Sequence, residues 1–112
     1  MTPQRGEVWL VDFGDPRGHE QAGLRPAVVV SADRLNESLA GVLMVVPGTT
    51  ARRNLPSHIE IEPGDSGLDQ VTYAKCEDLK SISEKRLINR LGRVSPDVTF
   101  EIDRVLRFLL DL

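Results

Sequence analysis

Cysteine is nearly absent from this 112-residue chain: Cys76 stands alone, which excludes an internal disulfide and fits a reducing compartment. Only two histidines occur, His19 and His58, far apart and with no cysteine pair or His-x-x-x-His beside them, so no spacing marks a metal site. Gly14, Gly18 and Gly23 fit neither phosphate-loop pattern, and no Gly-x-Ser-x-Gly nucleophile elbow is present. No uncharged apolar run reaches the roughly 18 residues of a membrane helix, and Met1–Arg5 lack the apolar centre of a signal peptide. A cytoplasmic protein is the expectation. Basic residues are not in excess either; the net charge of −3 argues against a general nucleic-acid-coating surface while leaving room for a local basic pocket.

What the chain does have is turn chemistry. Seven prolines and nine glycines favour short strands and many turns over a helix bundle. The length gives one core and one domain, 1–112. Arg5–Phe13 reads as a first strand with Trp9, Val11 and Phe13 on one face and Val8 and Leu10 on the other. Gly14–Gly23 is a loop of mixed charge, longer than an ordinary hairpin turn. Arg25–Ser31 is a second strand whose run Val28-Val29-Val30 suits cover on both faces. Ala32–Asn36 suggests a helical turn, and Gly41–Pro47 a third, central strand.

Ser57–Glu62 alternates as a strand with one wet face, which places His58 on that face. Gln70–Lys75 and Glu77–Ile82 read as a strand or as two pieces around Cys76, the latter buried and inert. Ser83 can cap one helical turn, and the later part of Leu87–Val94 reads as a last strand with Gly92 marking a bulge. Ser95-Pro96-Asp97 then starts a helix, and Val98, Ile102, Val105, Leu109 and Leu112 follow at helical spacing, with Leu106 and Leu110 widening the stripe. Strands first and one amphipathic helix last describe a mostly β, α+β protein: a small barrel with a helix packed against it.

Two places can carry chemistry. Pro26 lacks a backbone donor and belongs at a strand's first residue, so Arg25 stands at a strand mouth. Thr49 and Thr50 stand where the third strand stops. A guanidinium and a hydroxyl brought together bind a phosphodiester. In RNA the 2′-hydroxyl can attack its own phosphate, which leaves the protein to position, to stabilise charge and to move protons. Taken alone, a strand-end arginine is more often a surface salt-bridge residue and Thr-Thr more often a plain turn.

A longer set of residues points the same way. Arg5-Gly6-Glu7-Val8-Trp9, the block His19-Glu20-Gln21-Ala22-Gly23-Leu24-Arg25-Pro26 with Ala27–Ser31, Val46-Pro47-Gly48-Thr49-Thr50, Ser57-His58, and Asp78–Ile82 with Arg86-Leu87 resemble the MazF/PemK (Kid) family of toxin endoribonucleases. The resemblance implies a homodimer of SH3-like barrels of the Kid/MazF/CcdB type. It implies metal-independent, sequence-preferring cleavage of single-stranded RNA, often mRNA, that leaves 2′,3′-cyclic phosphate and 5′-hydroxyl ends. It further implies a cognate antitoxin in the same groove.

By this resemblance Arg25 matches the catalytic arginine, Thr49 the catalytic threonine, and Glu20 an acidic loop residue tied to activity in some members. His19, Gln21, Thr50, Arg52, Arg53, His58, Lys75 and Glu77 become candidate RNA contacts. Lys75-Cys76-Glu77-Asp78 stands where some relatives carry Arg-x-Asp followed by glutamine, so their cut-site preference does not transfer. Two other readings compete: a CcdB-like poison of a protein target, whose Trp-containing C-terminal end this chain lacks, and an inactive RNA- or peptide-binding barrel.

Overall fold

The computed structural model describes residues 2–14 and 23–112. Strands β1 (Glu7–Asp12), β2 (Leu24–Val29), β3 (Val42–Thr49), β4 (His58–Ile61), β5 (Thr72–Lys75), β6 (Lys80–Ser83) and β7 (Leu87–Arg93) form one antiparallel system; α1 (Asp33–Asn36) is a short turn and α2 (Pro96–Leu110) closes the chain. The strand order is β4-β5-β3-β2-β1-β7, with β6 also on β3. This is the mostly β, α+β arrangement expected from the sequence.

β3 is the longest strand and the hub. Along one edge it pairs β2 through Val45, Val46 and Pro47. Its other partners are β6, along Val42–Val45, and β5, at Gly48 and Thr49. Between those two partners the chain makes a 3-10 turn, Cys76–Asp78, so the sequence around Cys76 does hold two strand pieces. β3 also runs two residues past Pro47, the residue where the sequence suggested it would end.

Alternate residues of the central strands feed two cores. Val8, Val28, Val46, Ile61, Ala74 and Cys76 pack with Ile102 and Val105 of α2. Trp9, Val11, Ala27, Val29, Leu43, Val45 and Ile82 form the second core, with Phe13 and Leu87 at its margin. Neighbours such as Val28 and Val29 thus face opposite ways and are both buried, as an unbroken β-branched run requires. Each full burial of this kind contributes on the order of 1.5–3 kcal/mol.

The α2 start follows its sequence signals: Ser95 Oγ accepts the Val98 N–H at 3.2 Å and Pro96 opens the helix. The apolar stripe does not stay covered, however. Ile102 and Val105 are buried, whereas Leu109, Leu110 and Leu112 are exposed. Ser83 Oγ accepts the Lys85 N–H at the 3-10 turn Glu84–Arg86, as its capping position suggested. β7 is longer than read from sequence and starts at Leu87; its pairing with β1 slips beside Gly92, where Val8 pairs Gly92 but Trp9 pairs Arg90.

Candidate functional site

β2 and β3 are aligned so that Ala27 faces Pro47, Val28 faces Val46 and Val29 faces Val45. The paired positions end at Ala27 and Pro47; continued by two residues, this register brings Arg25 opposite Thr49, on the face shared by Ala27 and Pro47. Thr49 in turn pairs Tyr73 of β5, and Tyr73 pairs Glu60 of β4. One line across four strands therefore carries a guanidinium, a hydroxyl, a phenol and a carboxylate. One step along the same face lies His58, paired with Lys75.

Close approach at this line depends on Gly48. A Cβ there would sit 2.8 Å from Thr72 Cγ2 and 3.3 Å from the Pro26 carbonyl oxygen. Thr49 Oγ accepts the Ala51 backbone N–H at 3.2 Å, which fixes the oxygen and leaves the hydroxyl hydrogen to be donated outward. Thr50 turns to the other face, into a cleft bordered by Leu10 and Pro26. The structure thus separates the two threonines that the sequence left adjacent, and Thr49 is the one on the arginine's face. Arg25 itself is exposed at the first turn of β2 and engaged in contacts of its own.

The remaining candidate residues fall into three groups. Arg52 and Arg53 lie exposed on the loop between β3 and β4, with Arg52 Nε donating to Asn54 Oδ1 at 3.0 Å. Lys75 is tied to Asp78 at 3.0 Å, and both are mostly covered. Glu77 is held from two sides: Ser57 Oγ donates to its Oε1 at 2.8 Å, and His58 Nε2 lies 2.8 Å from its Oε2. Burial works against ionisation of Glu77, but the His58, backbone and Ser57 contacts outweigh it and hold the carboxyl below its ordinary value. The His58 side chain is only 2% exposed, so it is not on a wet face as the alternation suggested; Glu77 covers it.

His19, Glu20 and Gln21 lie outside the described residues. The two ends of their segment are joined by a neck: Phe13 N–H donates to Gly23 O at 2.9 Å and Gly23 N–H to Gly14 O at 2.8 Å. Arg86 braces that neck, its Nη1 donating to the Asp12 carbonyl at 3.2 Å. Tyr73 and Glu60 are neighbours of the site that the sequence did not single out. Strand register brings them there, and register has no local signature. Among the described residues no group of three or more His, Cys, Asp or Glu is placed to hold a metal ion. Among the described residues no helix is long and apolar enough to cross a membrane.

Residues 4–110 match the family described as the PemK-like, MazF-like toxin of type II toxin–antitoxin systems. The chain belongs to this family. It is a MazF-like toxin endoribonuclease, and a curated relative, endoribonuclease MazF9 of Mycobacterium tuberculosis, is 38% identical over 97% of both chains. The fold matches the crystal structure of MazF (form I) from Deinococcus radiodurans with a TM-score of 0.85 and 26% identity, over 100% of this chain and 99% of that one. It also matches an endoribonuclease from a mycobacterial species, in complex with its cognate antitoxin, with a TM-score of 0.81 and 27% identity over 98% and 96% of the two chains. The MazF-like resemblance read from Arg5–Trp9, the Glu20–Pro26 block and Val46–Thr50 is thereby confirmed.

Proposed function

We propose that this toxin cuts single-stranded RNA, mRNA above all, with Arg25 and Thr49 as its catalytic pair and residues 1–112 acting as one domain. The observation that supports this reading is the β2–β3 register, which, continued two residues past Ala27 and Pro47, brings Arg25 opposite Thr49 on one face. The nucleophile belongs to the substrate: the ribose 2′-oxygen attacks the adjacent phosphorus, the bond to the 5′-oxygen breaks, and a 2′,3′-cyclic phosphate and a 5′-hydroxyl result. The proton leaving the 2′-oxygen goes to a base, for which Glu20 is our candidate, and the departing 5′-oxygen takes one up. Arg25 donates to the non-bridging oxygens, where negative charge grows in the pentacovalent transition state. The Thr49 hydroxyl, its oxygen fixed by Ala51, donates to the same group.

Arg52 and Arg53 supply salt-dependent phosphate contacts. Lys75, Glu77, Thr50, His19 and Gln21 complete the proposed RNA-binding set, and His58, covered by Glu77, serves it by holding that carboxylate rather than by direct contact. The reading extends to a homodimer, a cytoplasmic setting where mRNA is available, and a cognate antitoxin that blocks the groove. The family to which the chain belongs, and the antitoxin named with a structural neighbour, support the last of these.

The test is incubation of the purified protein with a mixed RNA pool in excess chelator, beside Arg25→Ala. Discrete cuts with cyclic-phosphate ends that vanish in the variant are expected. Cutting by Arg25→Ala at the wild-type rate would refute the assignment, and intact RNA would favour a protein target or a binding module.

A further inference from the structure

Directly behind the Arg25–Thr49 line, on the opposite face of the strand ends, lies an open cleft of about 370 Å³. That falls within the roughly 300–1,000 Å³ of sites that hold small ligands. Its walls include Pro26 and Thr50, the residues that immediately follow Arg25 and Thr49, together with Leu91 from β7. Its polar lining consists of the Asp69 and Gln70 side chains, Thr50, and Thr72, whose hydroxyl donates to the Gln70 carbonyl.

The loop carrying Asp69 and Gln70 is fixed in place. Gly67 has φ +75°, and a Cβ there would lie 1.9 Å from the Leu91 carbonyl oxygen. A Cβ on Gly92 would lie 2.3 Å from the Asp65 carbonyl oxygen, which also accepts the Arg93 N–H at 2.9 Å. Two glycines thus let the loop sit directly on β7, and the cleft is formed before any ligand arrives.

Apolar walls with a few convergent polar groups are what an unstacked nucleobase requires: faces to lie against and partners for its edge. The geometry points to this cleft as the subsite for the base of a nucleotide adjoining the scissile phosphate, with Asp69 and Gln70 reading its edge. This assignment presupposes that Arg25 and Thr49 cut RNA. A carboxylate only accepts hydrogen bonds. It therefore favours a base with an exocyclic amino group, as in adenine, cytosine or guanine. Uracil, whose single N3–H is flanked by two carbonyl oxygens, is disfavoured. The cleft then contributes to sequence preference rather than to bond breaking.

The test uses the full chain and an RNA pool randomised on both sides of the cut, with fragment ends sequenced for wild type, Asp69→Asn, Gln70→Ala and Arg25→Ala. Wild type should discriminate against uracil at one position beside the cut. Asp69→Asn should weaken that discrimination by about tenfold, the size expected for losing one base-edge contact. Gln70→Ala should alter the same position and no other. Unchanged base frequencies in both variants, or a uniform fall in rate with frequencies intact, would overturn the subsite. Arg25→Ala separates the two claims: if it cuts like wild type, the catalytic assignment fails, whereas a silent Arg25→Ala with unaltered Asp69→Asn preference removes the subsite alone. Equal urea midpoints for the variants exclude misfolding as the cause.

Discussion

His58 of β4 and Glu77 of the 3-10 turn Cys76–Asp78 are joined by a 2.8 Å contact between Nε2 and Oε2, with the imidazole almost wholly covered. Glu77 is held below its ordinary value of 4.5 in the fold, so the folded state gains from its ionised form. That gain is complete above pH 4.5 and is lost as pH falls through the lower folded value. Urea midpoints of wild type should drop as pH falls below 4.5, and Glu77→Gln should show a shallower drop. Parallel acid limbs for the two proteins would contradict this pairing.

Glu7 is a stronger anchor. Its carboxylate is buried and accepts the Gln4 backbone N–H at 2.7 Å, the Trp9 indole N–H at 3.1 Å and Arg90 Nε at 2.5 Å. Burial opposes its charge, and these donors outweigh it, so its carboxyl too is depressed. Glu7→Ala leaves three donors short of an acceptor and should cost about 3 kcal/mol in denaturant unfolding. Arg90→Ala, at a more exposed partner, should cost less.

The two threonines should behave differently. Thr49→Ala removes the hydroxyl on the arginine's face and should lower kcat by about 10²–10³-fold, the range for losing one donor to a developing oxyanion. Thr50→Ala should shift KM or base preference with a far smaller change in kcat. Steady-state cleavage of one defined oligonucleotide separates the outcomes, and a larger kcat loss in Thr50→Ala would reverse the assignment.

Cys76 is 1% exposed and burial pushes its thiol up to about 12. At pH 8 the native protein should not react with an aromatic disulfide reagent, whereas the protein in denaturant should release one equivalent at once.

Gly67→Ala should be the most disruptive single methyl among the described glycines. It combines a left-handed backbone with a carbonyl oxygen in the place of the new carbon. A loss of roughly 3 kcal/mol or more, or failure to fold, is expected on urea titration.

Much of the fold was legible because its signals are local. The alternation over Val8–Phe13, the cap at Ser95 and the turn at Ser83 each depend on neighbours within a few residues. The Glu20–Pro26 and Val46–Thr50 blocks were legible as a family pattern. What sequence left open concerns pairing at a distance: which threonine faces Arg25, that Tyr73 joins their line, and that Glu77 covers His58.

The double membership of β3 has a consequence for how this toxin is switched off. Its Val42–Val45 portion completes the ladder with β6 and its last residues complete the ladder with β5, so neither half keeps its hydrogen bonds once this strand lets go. Amide protons on Val45 and Val46 should therefore exchange only through whole-molecule opening, and trimming by proteases should proceed without long-lived half-folded fragments. Thr49, half of the proposed catalytic pair, ends that same strand, so under that proposal a chain that has begun to come apart has already lost its cutting edge.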